Sequence, residues 1–173
     1  MKSQSINSIP DQKQFVQFLE SLAPDGETLL LARQKPKMVD GQVELHADGA
    51  VKAVWPAMLP TTKIKPEWAI YANTGAFIKD RFKGTISASR DNCEYVLVMV
   101  LDDVGDPDKA PNVPALQPTW KIETSSGSFQ WGYVFSSQPT KEDFSAAIRA
   151  IANAGYTDPG ACNPVRNFRL PGS

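Results

Sequence analysis

Tyr95-Val96-Leu97-Val98-Met99-Val100-Leu101-Asp102-Asp103-Val104-Gly105-Asp106 is a run of large apolar residues that stops abruptly on acids. Its first seven residues are β-branched, aromatic or long aliphatic, without polar alternation. That pattern suits a strand covered on both faces and predicts a central strand. Two adjacent carboxylates at the end of such a strand are costly to bury unpaired, so they either reach solvent or lie beside something positive. Hard divalent cations prefer carboxylate oxygens and ligand sites gather at strand ends, which makes a metal one reading. The other is a polar turn opened by Asp102 and Asp103 and completed by Gly105 and Pro107.

Downstream, Gly105 to Pro118 carries four prolines and predicts a loop. Trp120 to Thr124 and Phe129 to Phe135 then flank the polar turn Ser125-Ser126-Gly127-Ser128, the clearest hairpin in the chain. Alternation puts Phe129, Trp131, Tyr133 and Phe135 on its core face, and Gln130, Gly132 and Val134 on the other. Gln130 there either contacts a ligand or faces solvent, and Gly132 would let a ligand or backbone approach closely. Thr140 to Ala154 predicts a helix with a capping box from Thr140 to Asp143, a stripe of Phe144, Ala147, Ile148 and Ile151, and Gly155 as its stop. After the turn Thr157-Asp158-Pro159-Gly160-Ala161 come Arg166 and Arg169, whose guanidinium forks suit phosphate but would serve equally in a polar tail.

Upstream, Ser8-Ile9-Pro10-Asp11 opens a helix carrying Phe15, Phe18, Leu19 and Leu22. Leu29 to Arg33 predicts a short strand, and Gln42 to Val54, with Asp48-Gly49 in its middle, a hairpin. The prolines at 56, 60 and 66 predict an extended connection. Trp68 to Ala72 and Ala76 to Ile78 make one interrupted strand or two, on either side of Asn73-Thr74-Gly75.

The chain holds 173 residues, enough for one well-packed domain. With 18 basic and 19 acidic residues its net charge of −1 argues for no polyanionic or membrane partner as a whole. Locally the balance differs. From Thr61 to Arg90 there are six basic residues against two acids, and from Glu94 to Asp108 five acids stand unopposed. A basic stretch feeding an acidic one suits a polyanion lying beside a bound cation, with Lys79, Arg81 and Lys83 as candidate contacts to it; a solvated surface of mixed charge is the plainer reading. Two cysteines, Cys93 and Cys162, and one histidine, His46, do not supply an ordinary Cys/His zinc site, so any metal would take oxygen ligands. His46 reads as a surface residue. The N-terminal residues lack a signal-peptide pattern and no stretch is apolar enough for a membrane span, which predicts a cytoplasmic protein.

Three separated motifs resemble those of the plasmid- and phage-encoded, RepB-like branch of the archaeo-eukaryotic primases. They are Val100-Leu101-Asp102-Asp103-Val104-Gly105, Glu123-Thr124-Ser125-Ser126-Gly127-Ser128-Phe129-Gln130-Trp131-Gly132-Tyr133, and Thr157-Asp158-Pro159-Gly160-Ala161 with Arg166 and Arg169-Leu170-Pro171-Gly172. They cover about the C-terminal half. The resemblance implies an α+β fold, in which an RRM-like antiparallel or mixed sheet forms the catalytic core and a smaller αβ subdomain packs on it. It implies one catalytic domain over residues 1–173, with subregions of about 1–65 and 66–173, that in relatives continues past the third motif.

What the resemblance implies for function is a DNA primase-polymerase, performing nucleotidyl transfer from NTP or dNTP on single-stranded DNA in plasmid or phage replication. Asp102, Asp103 and Asp158 would be its metal ligands for two Mg2+ or Mn2+ ions. Ser125, Gly127 and Gln130 would line the nucleotide pocket, Arg166 and Arg169 would lie near triphosphate or template, and a fused or separate helicase would be a partner. Adjacent residues of a regular strand face opposite ways, so Asp102 and Asp103 can share a site only where the strand end is distorted. The alternative is a non-catalytic DNA-binding replication-initiator module of the same fold. A relaxase would need a histidine pair, and a Ser-His-Asp hydrolase a Gly-x-Ser-x-Gly elbow; the chain has neither.

Overall fold

The computed structural model describes residues 17–19, 21–22, 28–36, 38–44, 47, 53–54, 69–77 and 88–170. His46, Lys79, Arg81, Lys83 and most of the predicted N-terminal helix lie outside them. Of that helix, residues 17–19 and 21 are helical, and Leu19 is fully buried.

The described chain is α+β, with every strand pairing antiparallel. The first sheet is built on β5 (Ala69–Phe77). Strand β1 (Thr28–Pro36) pairs along one edge of it, and β4 (Ala53–Val54) follows β1. The other edge is shared end to end by β10 (Asn167–Arg169), against residues 71–73, and β6 (Cys93–Val96), against residues 75–77. The second sheet runs β7 (Val98–Leu101), β9 (Ser128–Val134), β8 (Trp120–Ser125). A small hairpin of β2 (Met38–Val39) and β3 (Gln42–Val43) stands apart.

The founding apolar run is thus two strands. It leaves the first sheet at Val96 and enters the second at Val98, and between them the Leu97 N–H donates to the Thr74 carbonyl at 2.9 Å. Strand β7 is an edge strand, and β9 is the central one, which corrects the sequence reading. The run does have cover on both faces. Val98 and Val100 join a cluster with Ala72, Trp120, Phe168 and Leu19, whereas Leu101 joins Trp131, Tyr133, Phe144 and Ile148. Lack of alternation reports covered faces and is silent on lateral neighbours.

Two other expectations change. Asn73-Thr74-Gly75 interrupts nothing, because the polar pair is buried inside one continuous β5 and fully bonded there. Among the described residues the tight hairpin turns at Asp40-Gly41, both with positive φ (49° and 78°), as a two-residue turn of this kind requires. The predicted partners Gln42 and Val54 pair elsewhere, with β2 and β1.

The C-terminal elements follow the sequence reading closely. Helix α1 (Lys141–Asn153) starts at Thr140, whose hydroxyl accepts the Asp143 N–H at 3.1 Å and donates to the Asp143 carboxylate at 2.8 Å. It buries Phe144, Ser145, Ile148 and Ala152; Ala147, expected in the stripe, is exposed. The proline-rich loop is pinned at both sides: the Asn112 amide donates to the Ala154 carbonyl at the helix end, and the Tyr133 hydroxyl to the Leu116 carbonyl.

Candidate functional site

At the open end of β7 the chain bends sharply. Asp103 adopts φ 54°, a left-handed conformation that aspartate tolerates better than most residues, and the regular alternation of the strand ends there. The backbone of Asp102 is held by the segment after α1: its N–H donates to the Thr157 hydroxyl at 2.8 Å, and its carbonyl accepts the Asp158 N–H at 3.1 Å. The first and third sequence motifs are therefore stitched together through the main chain. Asp158 then caps the 3₁₀ turn Pro159–Ala161, accepting the Gly160 N–H at 2.7 Å.

The side chains form an alternation of charge. The Asp102 carboxylate is ion-paired with Arg166 and also accepts the Asp103 N–H at 3.2 Å. The Asp103 carboxylate accepts from Lys109 Nζ at 2.7 Å and from Ser128 Oγ at 2.5 Å. Burial pushes Asp103 upward, but those two hydrogen bonds, with the charges of Lys109 and Arg166, outweigh it and hold its carboxyl below the ordinary 3.8. Lys109 is raised by its bond to Asp103 and by the charges of Asp103, Asp158 and Asp106. Two cations thus stand among three motif carboxylates.

Behind the acids, Arg166 immediately precedes β10 and Arg169 ends it. Thr74 sets the position of the first: its N–H donates to the Arg166 carbonyl at 2.8 Å and its hydroxyl accepts the Arg166 N–H at 3.1 Å. Arg169 donates its backbone N–H to Gln130 Oε1 at 3.1 Å and its Nη1 to the Thr124 carbonyl at 2.7 Å. Both arginines keep a buried Nε–H with no hydrogen-bond partner. Gln130 is buried rather than open to solvent, and its Oε1 accepts from β10; the face it occupies is covered by the first sheet. Gly132 admits a close approach as expected, but from the Trp120 ring opposite it on β8. Ser125 and Gly127 stand exposed at the hairpin tip, with Gly127 at φ 78° and its N–H donating to Glu123.

Asp102, Asp103 and Arg166 come together, with Asp158 joined to Asp102 through the backbone. Lys109, Ser128, Thr157 and Thr74 are the residues that sequence reasoning passed over. Ser128 lay in the recognised turn, and Lys109 in a loop whose return path no local pattern betrays.

No protein-family model matches the chain, and no curated protein does. Among solved structures it is similar to the AEP domain of the primase-polymerase of cyanophage S-2L, with a TM-score of 0.58 and 21% identity over 92% of this chain and 81% of that one. The two share a fold.

Proposed function

We propose that the chain is the catalytic domain of a DNA primase-polymerase, carrying out divalent-metal-dependent nucleotidyl transfer on a single-stranded DNA template. The RepB-like branch and a plasmid or phage setting are part of the same reading, as is one domain over residues 1–173. The observation that carries it is the corner where Asp102, Asp103 and the Thr157-Asp158 segment meet beside Arg166, in a chain sharing the fold of a phage primase-polymerase domain.

The donor set fits magnesium or manganese in kind, being carboxylate oxygen without thiol or imidazole. As they stand, no three acidic, cysteine or histidine side chains among the described residues converge on one point. Magnesium is commonly held by one or two carboxylates together with substrate phosphates, so Asp102 and Asp103, with Asp158 as third acid, would hold it when a nucleotide supplies the remaining oxygens. A pair of such ions held there would supply charge stabilisation to the attacking and leaving oxygens.

The chain's own residues then divide the work. Arg166 and Arg169, whose guanidinium groups otherwise engage Asp102 and the Thr124 carbonyl, supply positive charge for the triphosphate or template phosphates. Gln130 serves indirectly, by fixing Arg169. Ser125 and Gly127 form the hairpin rim over the nucleotide, and Lys79, Arg81 and Lys83 follow the template strand.

Nucleotide incorporation on primed and unprimed single-stranded templates, in magnesium and in manganese, tests this. Asp102→Ala and Asp103→Ala should each abolish synthesis while the circular dichroism spectrum stays unchanged; full incorporation by both variants would refute the assignment. The same ion-paired acids give the alternative, a non-catalytic DNA-binding initiator module, its own support, since carboxylates already neutralised need no metal. Wild-type protein that binds single-stranded DNA but gives no Asp103-dependent binding of manganese with a deoxynucleotide would favour that module.

A further inference from the structure

The loop after Asp103 folds back on it through its own hydrogen bonds. The Asp106 N–H donates to the Asp103 carbonyl at 2.9 Å, and Asp106 Oδ1 accepts the N–H groups of Asp108 and Lys109 at 2.9 and 3.1 Å. The Ala110 N–H donates to the Asp106 carbonyl at 2.9 Å, the Gly105 N–H donates to the Ala110 carbonyl at 2.8 Å, and the Ala110 side chain is wholly buried. The main chain of Lys109 is therefore fixed at a return point, six residues past Asp103, from which its side chain spans to that carboxylate.

The two ends of this ion pair differ in their surroundings. The Asp103 side chain is 14% exposed and the Lys109 side chain 53% exposed. A carboxylate so enclosed, with Asp102 next to it, needs a compensating charge. A lysine with a solvated stem supplies one, and it can withdraw without disturbing any packed residue.

We infer that Lys109 is a resident counterion of the candidate metal site: it occupies Asp103 while no metal is bound, and moves to the triphosphate when a metal and nucleotide arrive together. This rests on the primase-polymerase reading of Asp103. It follows that a bare cation must displace Lys109 into solvent against mutual repulsion, whereas a nucleotide-bound cation brings the anion that receives the ammonium group. The site thereby favours metal delivered with nucleotide over metal alone.

The test is the affinity for MnCl2, measured by electron paramagnetic resonance of free Mn2+ without nucleotide, and then with dTTP. Wild type, Lys109→Met, Lys109→Arg and Asp103→Asn are compared. Lys109→Met should bind Mn2+ alone roughly two- to fivefold more tightly than wild type, the scale of one partly exposed ion pair. It should bind Mn2+ with dTTP more weakly by a similar factor, and Lys109→Arg should stay near wild type in both. A purely structural lysine would not change the two affinities in opposite directions. Asp103-dependent Mn2+ binding that is indifferent to Lys109→Met overturns the counterion role alone. Mn2+ binding unchanged by Asp103→Asn overturns the metal assignment and this inference with it.

Discussion

The Asp102 N–H donates to the hydroxyl of Thr157 at 2.8 Å, and Thr157 is fully buried at the edge of β7. This bond, with the one from Asp158 to the Asp102 carbonyl, gives the end of an edge strand a second partner in the segment after α1, while β9 stays bonded to the same stretch through the Val104 N–H and the Phe129 carbonyl at 3.1 Å. Thr157→Val keeps the shape and removes the acceptor, leaving a backbone donor unsatisfied at a cost of about 1–3 kcal/mol. Denaturant titration should show that loss, incorporation should fall with it, and Thr157→Ser should restore both. A Thr157→Val protein as stable and active as wild type would mean that the two motifs are not held together in this way.

Gln130→Ala separates a structural from a ligand-binding glutamine. With Gln130 Oε1 committed to the Arg169 N–H, the variant should lose about 1–3 kcal/mol of stability with no nucleotide present. Its KM for nucleotide should rise as Arg166 and Arg169 lose their alignment. A raised KM at unchanged stability would point to direct nucleotide contact instead.

Gly132→Ala places a methyl group inside the ring of Trp120, which is itself packed against Phe168 at 5.9 Å and Phe18 at 6.4 Å between ring centroids. With Phe168 fully buried and Phe18 half-buried against it, the indole cannot yield cheaply. Overpacking of about 1–3 kcal/mol or more should appear as a lower denaturation midpoint. A midpoint unchanged within error would show that the indole has room to move.

Cys93 gives the pH prediction. Burial pushes its thiol above the ordinary 9.0; the nearby Lys141 charge offsets this in part and Glu94 adds to it. A raised folded pKa means that the folded chain keeps the proton which the unfolded chain gives up. This contribution to stability is complete below the ordinary value and is lost as the pH rises through the folded one. Melting temperature should therefore fall above about pH 9, and iodoacetamide at about pH 8 should modify Cys93 only as fast as the chain opens. Labelling of Cys93 at the rate of a free peptide, read by peptide mass spectrometry, would contradict its burial.

Sequence legibility followed the range of the interactions. Helix α1 and the β8–β9 hairpin were readable because their determinants are local: Thr140 meets Asp143 three residues on, and Gly127 supplies the positive φ of the turn. The motif acids were readable as a set, although their neutralisation was not. Arg166 reaches Asp102 across 64 positions, and Lys109 reaches Asp103 only because the loop closes on Asp106. Buried polar residues were the weakest point. Thr74 and Gln130 look like an interruption and a surface contact by pattern, and only the partner strand β10 explains them.

Thr74 meets both chains that matter here, taking the Leu97 N–H where the acid-bearing run changes sheet and bracketing the backbone of Arg166. The three motif acids, with Arg166 and Arg169, lie C-terminal to position 100, yet the spacing between the carboxylate row and the guanidinium row is gauged from a residue that precedes them all. A fragment of residues 88–170 would carry the motif acids and both motif arginines and lack the ruler. Dissecting this protein by motif would therefore yield the side chains without their spacing.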